Sequence, residues 1–225
     1  MKGLIVLLLV AAAVFAAPIP THPDGYKYGV TTNKVVRLDV YEDLLCSDCK
    51  AFEPAFKKYL NTATVNGRPV TDFVETVIHI FPLPYHHHAF FVAEMVPFVY
   101  NLNQDVNQVF QFSDWIYSVQ NSYLSGAVNL SETQVKDKLC RESSQALSFI
   151  SYDACSKEFS SHAHDWDARV SWKFAAYNAV SGTPTVFLNG VEVDAPNTVG
   201  QWQDLLAPYL ENAAVVRNTL KDAFI

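Results

Sequence analysis

Three stretches of this 225-residue sequence predict an α/β fold. A strand-period segment runs directly into a helix-period segment at a Cys-x2-Cys pair, Cys46 and Cys49. A second strand passes through a proline-limited turn into a long helix-rich region, and an Asn-Gly hairpin follows that region near the C-terminus. Half of the residues are hydrophobic and 13% are aromatic, enough for a sizeable core in one domain with an insertion or in two small domains. The formal net charge of -7 leaves no basic stripe to neutralise phosphates, so no nucleic-acid partner is expected.

The chain begins MKGLIVLLLVAAAVFAAPIP, with a charged start at Lys2, an apolar run from Leu4 to about Ala13, and small residues before two prolines. This is the pattern of a signal peptide, residues 1–17, cleaved near Ala16 or Ala17. An uncleaved anchor is the competing reading, but the run is shorter than the roughly 20 residues that span a bilayer. The C-terminus, LKDAFI, carries no KDEL-type retention signal. The expectation is a chain that is soluble after cleavage, without membrane association. Its address is the secretory pathway or the extracellular space, with the endoplasmic reticulum, a lysosome and the periplasm all open.

Such compartments let disulfides persist. The four cysteines, Cys46, Cys49, Cys140 and Cys155, allow three full pairings. The pairing that keeps the close pair together leaves Cys140 with Cys155 as a structural disulfide. Zinc is the rival reading of Cys-x2-Cys, but it needs a second half-site, and Cys140 and Cys155 lack the spacing of one. No metal is expected.

KVVRLDVYED alternates Val36, Leu38 and Val40 against Arg37, Asp39 and Tyr41, the period of a half-buried strand. CKAFEPAFKKYL then places Phe52, Phe56, Tyr59 and Leu60 on one helical face. Cys46 therefore stands where a strand becomes a helix. Unpaired N–H groups and the positive end of the dipole stabilise a thiolate there, making Cys46 the attacking thiol and Cys49 the resolving one. Pro54 is expected to kink this helix.

Further on, Val74 to Phe81 reads as a strand, with a helix beginning near His86 to His88. Pro97 predicts a kink or a break between two shorter helices. Ser131 and Gln134 have capping-box spacing, and residues 153–180 read as one helical stretch. The run Thr185 to Val193 is two short strands around Asn189-Gly190. TVGQWQDLLAPYLENAA is an amphipathic terminal helix expected to cover the sheet.

CSDCKAFEP resembles the thioredoxin active site, with its two cysteines, a lysine directly after them and a proline five residues beyond the second. GTPTVFLNG resembles the segment that in thioredoxin-like folds carries a cis-proline packed on the cysteine pair. The resemblance implies that Pro184 is cis, with Thr183 facing Cys46 and both binding substrate. The segment VETVIHIFPLPYHHHAFFVAE, with its strand, Phe-Pro-Leu and histidine before a helix, is similar to the DsbA-like branch of the superfamily.

The implied fold is α/β and thioredoxin-like with a helical insertion domain. Residues 26–85 and 181–225 would form the thioredoxin-like domain, and 86–180 the inserted helical domain. The implied activity is thiol-disulfide oxidoreduction on protein substrates bearing thiols or disulfides, through a Cys-x-x-Cys centre. An unspecified redox partner is implied and no cofactor.

This sequence departs from the family at two places. The buried carboxylate that thioredoxins carry six residues before the first cysteine is here Val40, with Asp39 one position earlier. Asp39 either serves in its place or is a solvent-facing strand residue. Between the cysteines lie Ser47 and Asp48, where strongly oxidising relatives carry Pro-His. Asp48, with Glu42 and Asp43, is expected to raise the pKa of Cys46 and give a less oxidising centre. His86, His87 and His88 are read as capping or surface residues, and Asn129 opens an N-glycosylation sequon.

Two other functions fit the same residues. One is a non-catalytic binding or chaperone-like module whose cysteine pair is a structural disulfide, since fold does not determine function. A glutathione-transferase kappa-like enzyme is the third, and the second cysteine argues against it.

Overall fold

The computed structural model describes residues 23–29 and 35–222, with side chains as far as 210. The segment read as a signal peptide, residues 1–17, lies outside them. A central five-stranded sheet is formed by β1 (Tyr26–Tyr28), β2 (Val36–Glu42), β5 (Val74–Ile80), β6 (Thr185–Leu188) and β7 (Val191–Val193), in the order β1-β5-β2-β6-β7. Strands β2 and β5 run parallel, and the other neighbours are antiparallel. A two-stranded ribbon, β3 (Thr64–Val65) and β4 (Arg68–Pro69), turns through Asn66 and Gly67, both at positive φ.

Seven α-helices lie among the described residues. The first, α1 (Ser47–Thr62), follows β2; α2 (Ala89–Asn103), α3 (Val106–Val119), α4 (Glu132–Ala146), α5 (Tyr152–Ser161) and α6 (Asp165–Tyr177) all fall between β5 and β6. The last, α7 (Val199–Asp222), follows β7. This is a thioredoxin-like fold with a helical insertion. No helix among the described residues is long and apolar enough to cross a membrane.

Every residue of β5 is buried, as expected of a central strand covered on both faces. Helix α1 buries Phe52, Phe56 and Tyr59 around Trp202 of α7, whose indole is fully enclosed and lies 4.9 Å from the Phe56 ring. Apolar spacing along α1 and the anchor on α7 thus position the N-terminus of α1, where the cysteines are. Across the sheet, α6 stacks Phe174 on His79 and Trp172 on Phe81.

Several elements differ from the sequence expectation for local reasons. Helix α2 starts at Ala89 because Leu83 N–H and His86 Nδ1 are both drawn to the Asp43 carboxylate, holding residues 83–88 as turns. Pro97 does not break α2: the helix runs through it with Val92 to Val99 buried on all sides, so packing outweighs the missing hydrogen bond. Helices α5 and α6 separate at His162, which takes a left-handed φ of 54°. The side chain of Glu158 then accepts a bond from His164 N–H at 2.7 Å. The Ser131–Gln134 capping box is present in both directions.

Candidate active site

Cys46 occupies the N-cap position of α1, with φ -78° and ψ 127°. Serine, threonine or aspartate ordinarily caps a helix by accepting from the first-turn amides. Cys46 as a thiol makes no such side-chain bond, so those donors await an anion. The Cys46 thiol is lowered from 9.0 to about 5. The Cys49 thiol contributes most, and Thr183 with the backbone amides of Cys49 and Asp48 adds to it, against the opposing effect of burial. One turn further in, Cys49 is fully buried, and burial and the neighbouring Cys46 push its thiol well up. Neither sulfur is in a disulfide.

Strand β6 pairs antiparallel with β2, with Tyr41 opposite Thr185. This register brings the start of β6 beside the end of β2 and hence beside the start of α1. The Thr183–Pro184 peptide is cis. The Cys46 thiol donates to the Thr183 carbonyl at 3.4 Å, and the Thr183 hydroxyl is buried without a hydrogen bond. Once Cys46 ionises, that hydroxyl is a donor in reach of it. Both Thr183 and Pro184 are partly exposed, so the backbone just before β6, beside the sulfur, is open to a ligand.

Behind Cys49 runs a chain of ionisable groups. Glu42, fully enclosed at the end of β2, accepts from the Tyr117 hydroxyl at 2.9 Å. Burial and the neighbouring Glu53 push its carboxyl well above the ordinary range. Glu53 pairs with Lys57 at 2.7 Å, and Lys57 reaches Asp114 at 2.5 Å, whose side chain is 61% exposed. Burial disfavours the Lys57 ammonium, but Glu53 and Asp114 hold it charged. These groups reach from the buried end of β2 to the exposed Asp114. Two further buried residues shape the loop before α1. Asp43 accepts from Leu45 N–H at 2.8 Å, Leu83 N–H at 3.0 Å and His86 Nδ1 at 2.5 Å. The Gln120 side-chain amide donates to the carbonyls of Leu44 and Cys46.

Residues 23–207 match a family model described as thioredoxin. The chain belongs to the thioredoxin family. Sequence comparison with curated proteins finds no match. Among solved structures it is similar to alpha-DsbA1 of Wolbachia pipientis, at TM-score 0.66 and 18% identity over 88% of this chain and 95% of that one. It is also similar to oxidised BdbD of Bacillus subtilis, at TM-score 0.60 and 13% identity over 79% and 88% of the two chains. A third likeness is to MdbA, a thiol-disulfide oxidoreductase of Corynebacterium diphtheriae, at TM-score 0.55 and 13% identity over 76% and 82%. This thioredoxin-family chain therefore shares the DsbA-like form of the fold, with helices inserted between β5 and β6.

Within that family frame, the structure relocates two sequence expectations. Asp39 belongs to the other face of β2: it pairs with Arg37 at 2.6 Å and accepts from His79 Nε2 at 2.9 Å, away from Cys49. Burial alone would raise its carboxyl, and the bonds from His79 and Arg37 hold it down at about 2. Glu42, three residues later, is buried and shares the β2 face of Val36, Leu38 and Val40. The Asp48 side chain is exposed, and the backbone amide of Asp48 favours the Cys46 thiolate.

Cys140 and Cys155 are disulfide-bonded, joining α4 to α5. Asn129 is exposed in the turn before α4. Of the three histidines, His86 bonds Asp43, while His88 is buried and bonds the Ala127 carbonyl at 3.1 Å. Only His87 is an exposed surface residue.

Proposed function

We propose that this chain is a secreted thiol-disulfide oxidoreductase that oxidises thiols of protein substrates through Cys46 and Cys49. The observation that carries this reading is the opposite shift of two thiols one helical turn apart, downward at Cys46 and upward at Cys49. A stabilised Cys46 thiolate stabilises the reduced pair, which makes the disulfide a stronger oxidant. The shift at Cys46 thus supports an oxidising centre.

In the oxidised state a substrate thiolate attacks Cys46 Sγ, the Cys46–Cys49 bond breaks, and Cys49 leaves with the electron pair. Glu42, held protonated by burial, supplies the proton that Cys49 takes up and is reprotonated by one of the protons the substrate releases. A second substrate thiolate then attacks the substrate sulfur of the mixed disulfide. Cys46 departs as the thiolate, and the substrate has lost two electrons and two protons. One proton is on Cys49 and the other passes to solvent. Thr183 and Pro184 hold the substrate strand against β6 during these steps by backbone pairing. A second partner bearing a disulfide reoxidises the pair.

Secretion is supported by the N-terminal pattern and by the Cys140–Cys155 disulfide, which persists in oxidising compartments. The test is oxidation of a reduced dithiol peptide. Cys46→Ser should abolish turnover, and Cys49→Ser should accumulate mixed disulfides with substrate proteins. Undiminished oxidation by Cys46→Ser would overturn the proposal.

A further inference from the structure

Three helices of the insertion converge on one point away from the cysteine pair. Glu94 comes from the middle of α2, His162 from the C-cap of α5 and Asp165 from the first residue of α6. One ligand atom from each lies within 4.8 Å of the other two. Glu94 is only 1% exposed, and its Oε1 is enclosed without a hydrogen bond. A buried carboxylate oxygen without a donor is costly, and two things relieve it, a proton or a cation.

We propose that Glu94, His162 and Asp165 bind a divalent metal of the zinc class and tie α2, α5 and α6 together. One imidazole nitrogen and two carboxylate oxygens are a donor set suited to Zn2+, with water completing a tetrahedral shell. An all-oxygen shell, which Ca2+ and Mg2+ prefer, is not what these residues offer. The turn geometry favours the arrangement: the left-handed backbone at His162 reverses the chain between α5 and α6, bringing His162 and Asp165 to the same side.

Other charged groups face the site. Arg169 donates to both Asp165 oxygens, at 2.6 and 3.0 Å, which leaves each oxygen a further lone pair. Lys136, bonded to Glu132 at 2.6 Å, and Glu158 also act on Glu94. Three carboxylates, Glu94, Asp165 and Glu158, thus stand against the two cations Lys136 and Arg169. Burial pushes the Glu94 carboxyl up to about 7, so at neutral pH the metal displaces a proton that Glu94 holds only in part.

The experiment uses the full mature chain carrying Cys46→Ser and Cys49→Ser, so that no thiolate competes for the metal. Zn2+ alone is titrated by calorimetry, and thermal unfolding is followed with and without it. One equivalent should bind saturably and raise the Tm, as ligand linkage requires. Glu94→Gln keeps the side-chain shape, and His162→Gly keeps a residue suited to left-handed φ. Each should weaken binding by more than about 100-fold, beyond the range for loss of an outer-shell partner. Absence of saturable binding up to millimolar zinc would overturn the site. So would unchanged affinity in His162→Gly, which would place the metal on other histidines.

Discussion

At Cys46 a thiol takes the place of the hydroxyl or carboxylate that ordinarily caps a helix, and becomes a full capping group only when ionised. Its alkylation rate should titrate at about pH 5. A thiol whose folded pKa lies below its unfolded value contributes stability above the unfolded pKa and loses it as pH falls through the folded one. The reduced protein should therefore gain stability relative to the disulfide form between about pH 5 and 9. Urea unfolding of both forms at pH 4 and pH 8 checks this, and an identical difference at the two pH values would contradict it. Asp48→Asn should leave the alkylation pKa near its wild-type value, because the Asp48 contribution comes from backbone. Glu42→Gln should slow formation of the mixed disulfide, the step in which Cys49 leaves and takes up a proton, by about 100-fold, the lower range for loss of a general acid–base group. Stopped-flow measurement of that step, with Cys46 alkylation as the control, separates this effect from a change at Cys46. Glu42 was legible in one respect: it shares strand parity with the buried Val36, Leu38 and Val40, whereas Asp39 shares it with Arg37. Asp43 and Gln120 carry no local signal, since their partners are backbone groups distant in sequence.

Elements whose cause is local could be read directly. The alternation before Cys46, the Ser131–Gln134 box and the Asn189-Gly190 turn each depend on residues a few positions apart. Strand β1 has three residues and exists only through pairing with β5, some fifty positions away in the chain, so no periodicity announces it. The ribbon of β3 and β4 has the turn signal Asn66-Gly67 but strands of two residues each, too short for a pattern. Pro97 leaves α2 unbroken because burial on every side of the helix outweighs one lost hydrogen bond. The packing of α1 on α7 turns on Trp202, wedged among Phe52, Phe56 and Tyr59. Trp202→Ala should cost about 3–5 kcal/mol in urea unfolding. In the insertion, Cys140→Ser with Cys155→Ser opens a crosslink of sequence separation 15. The double variant should lose about 3 kcal/mol on the chain-entropy estimate. The same denaturation assay under non-reducing conditions checks both.

For the whole molecule, β2 and β6 bring a helix N-terminus and a cis-proline together from opposite ends of the chain. The five helices between β5 and β6 add Gln120 and Tyr117, which reach the carbonyls around Cys46 and the carboxylate of Glu42. The insertion thus contributes side chains to the surroundings of Cys46 as well as bulk beside them. If that centre oxidises substrates, its energetics must show in the equilibrium between dithiol and disulfide. The decisive measurement is the reduction potential of the Cys46/Cys49 pair in glutathione buffers at pH 7. The account predicts a value of about -180 to -120 mV, the range of oxidising and isomerising thiol centres. A value below about -300 mV, where structural disulfides lie, would contradict it.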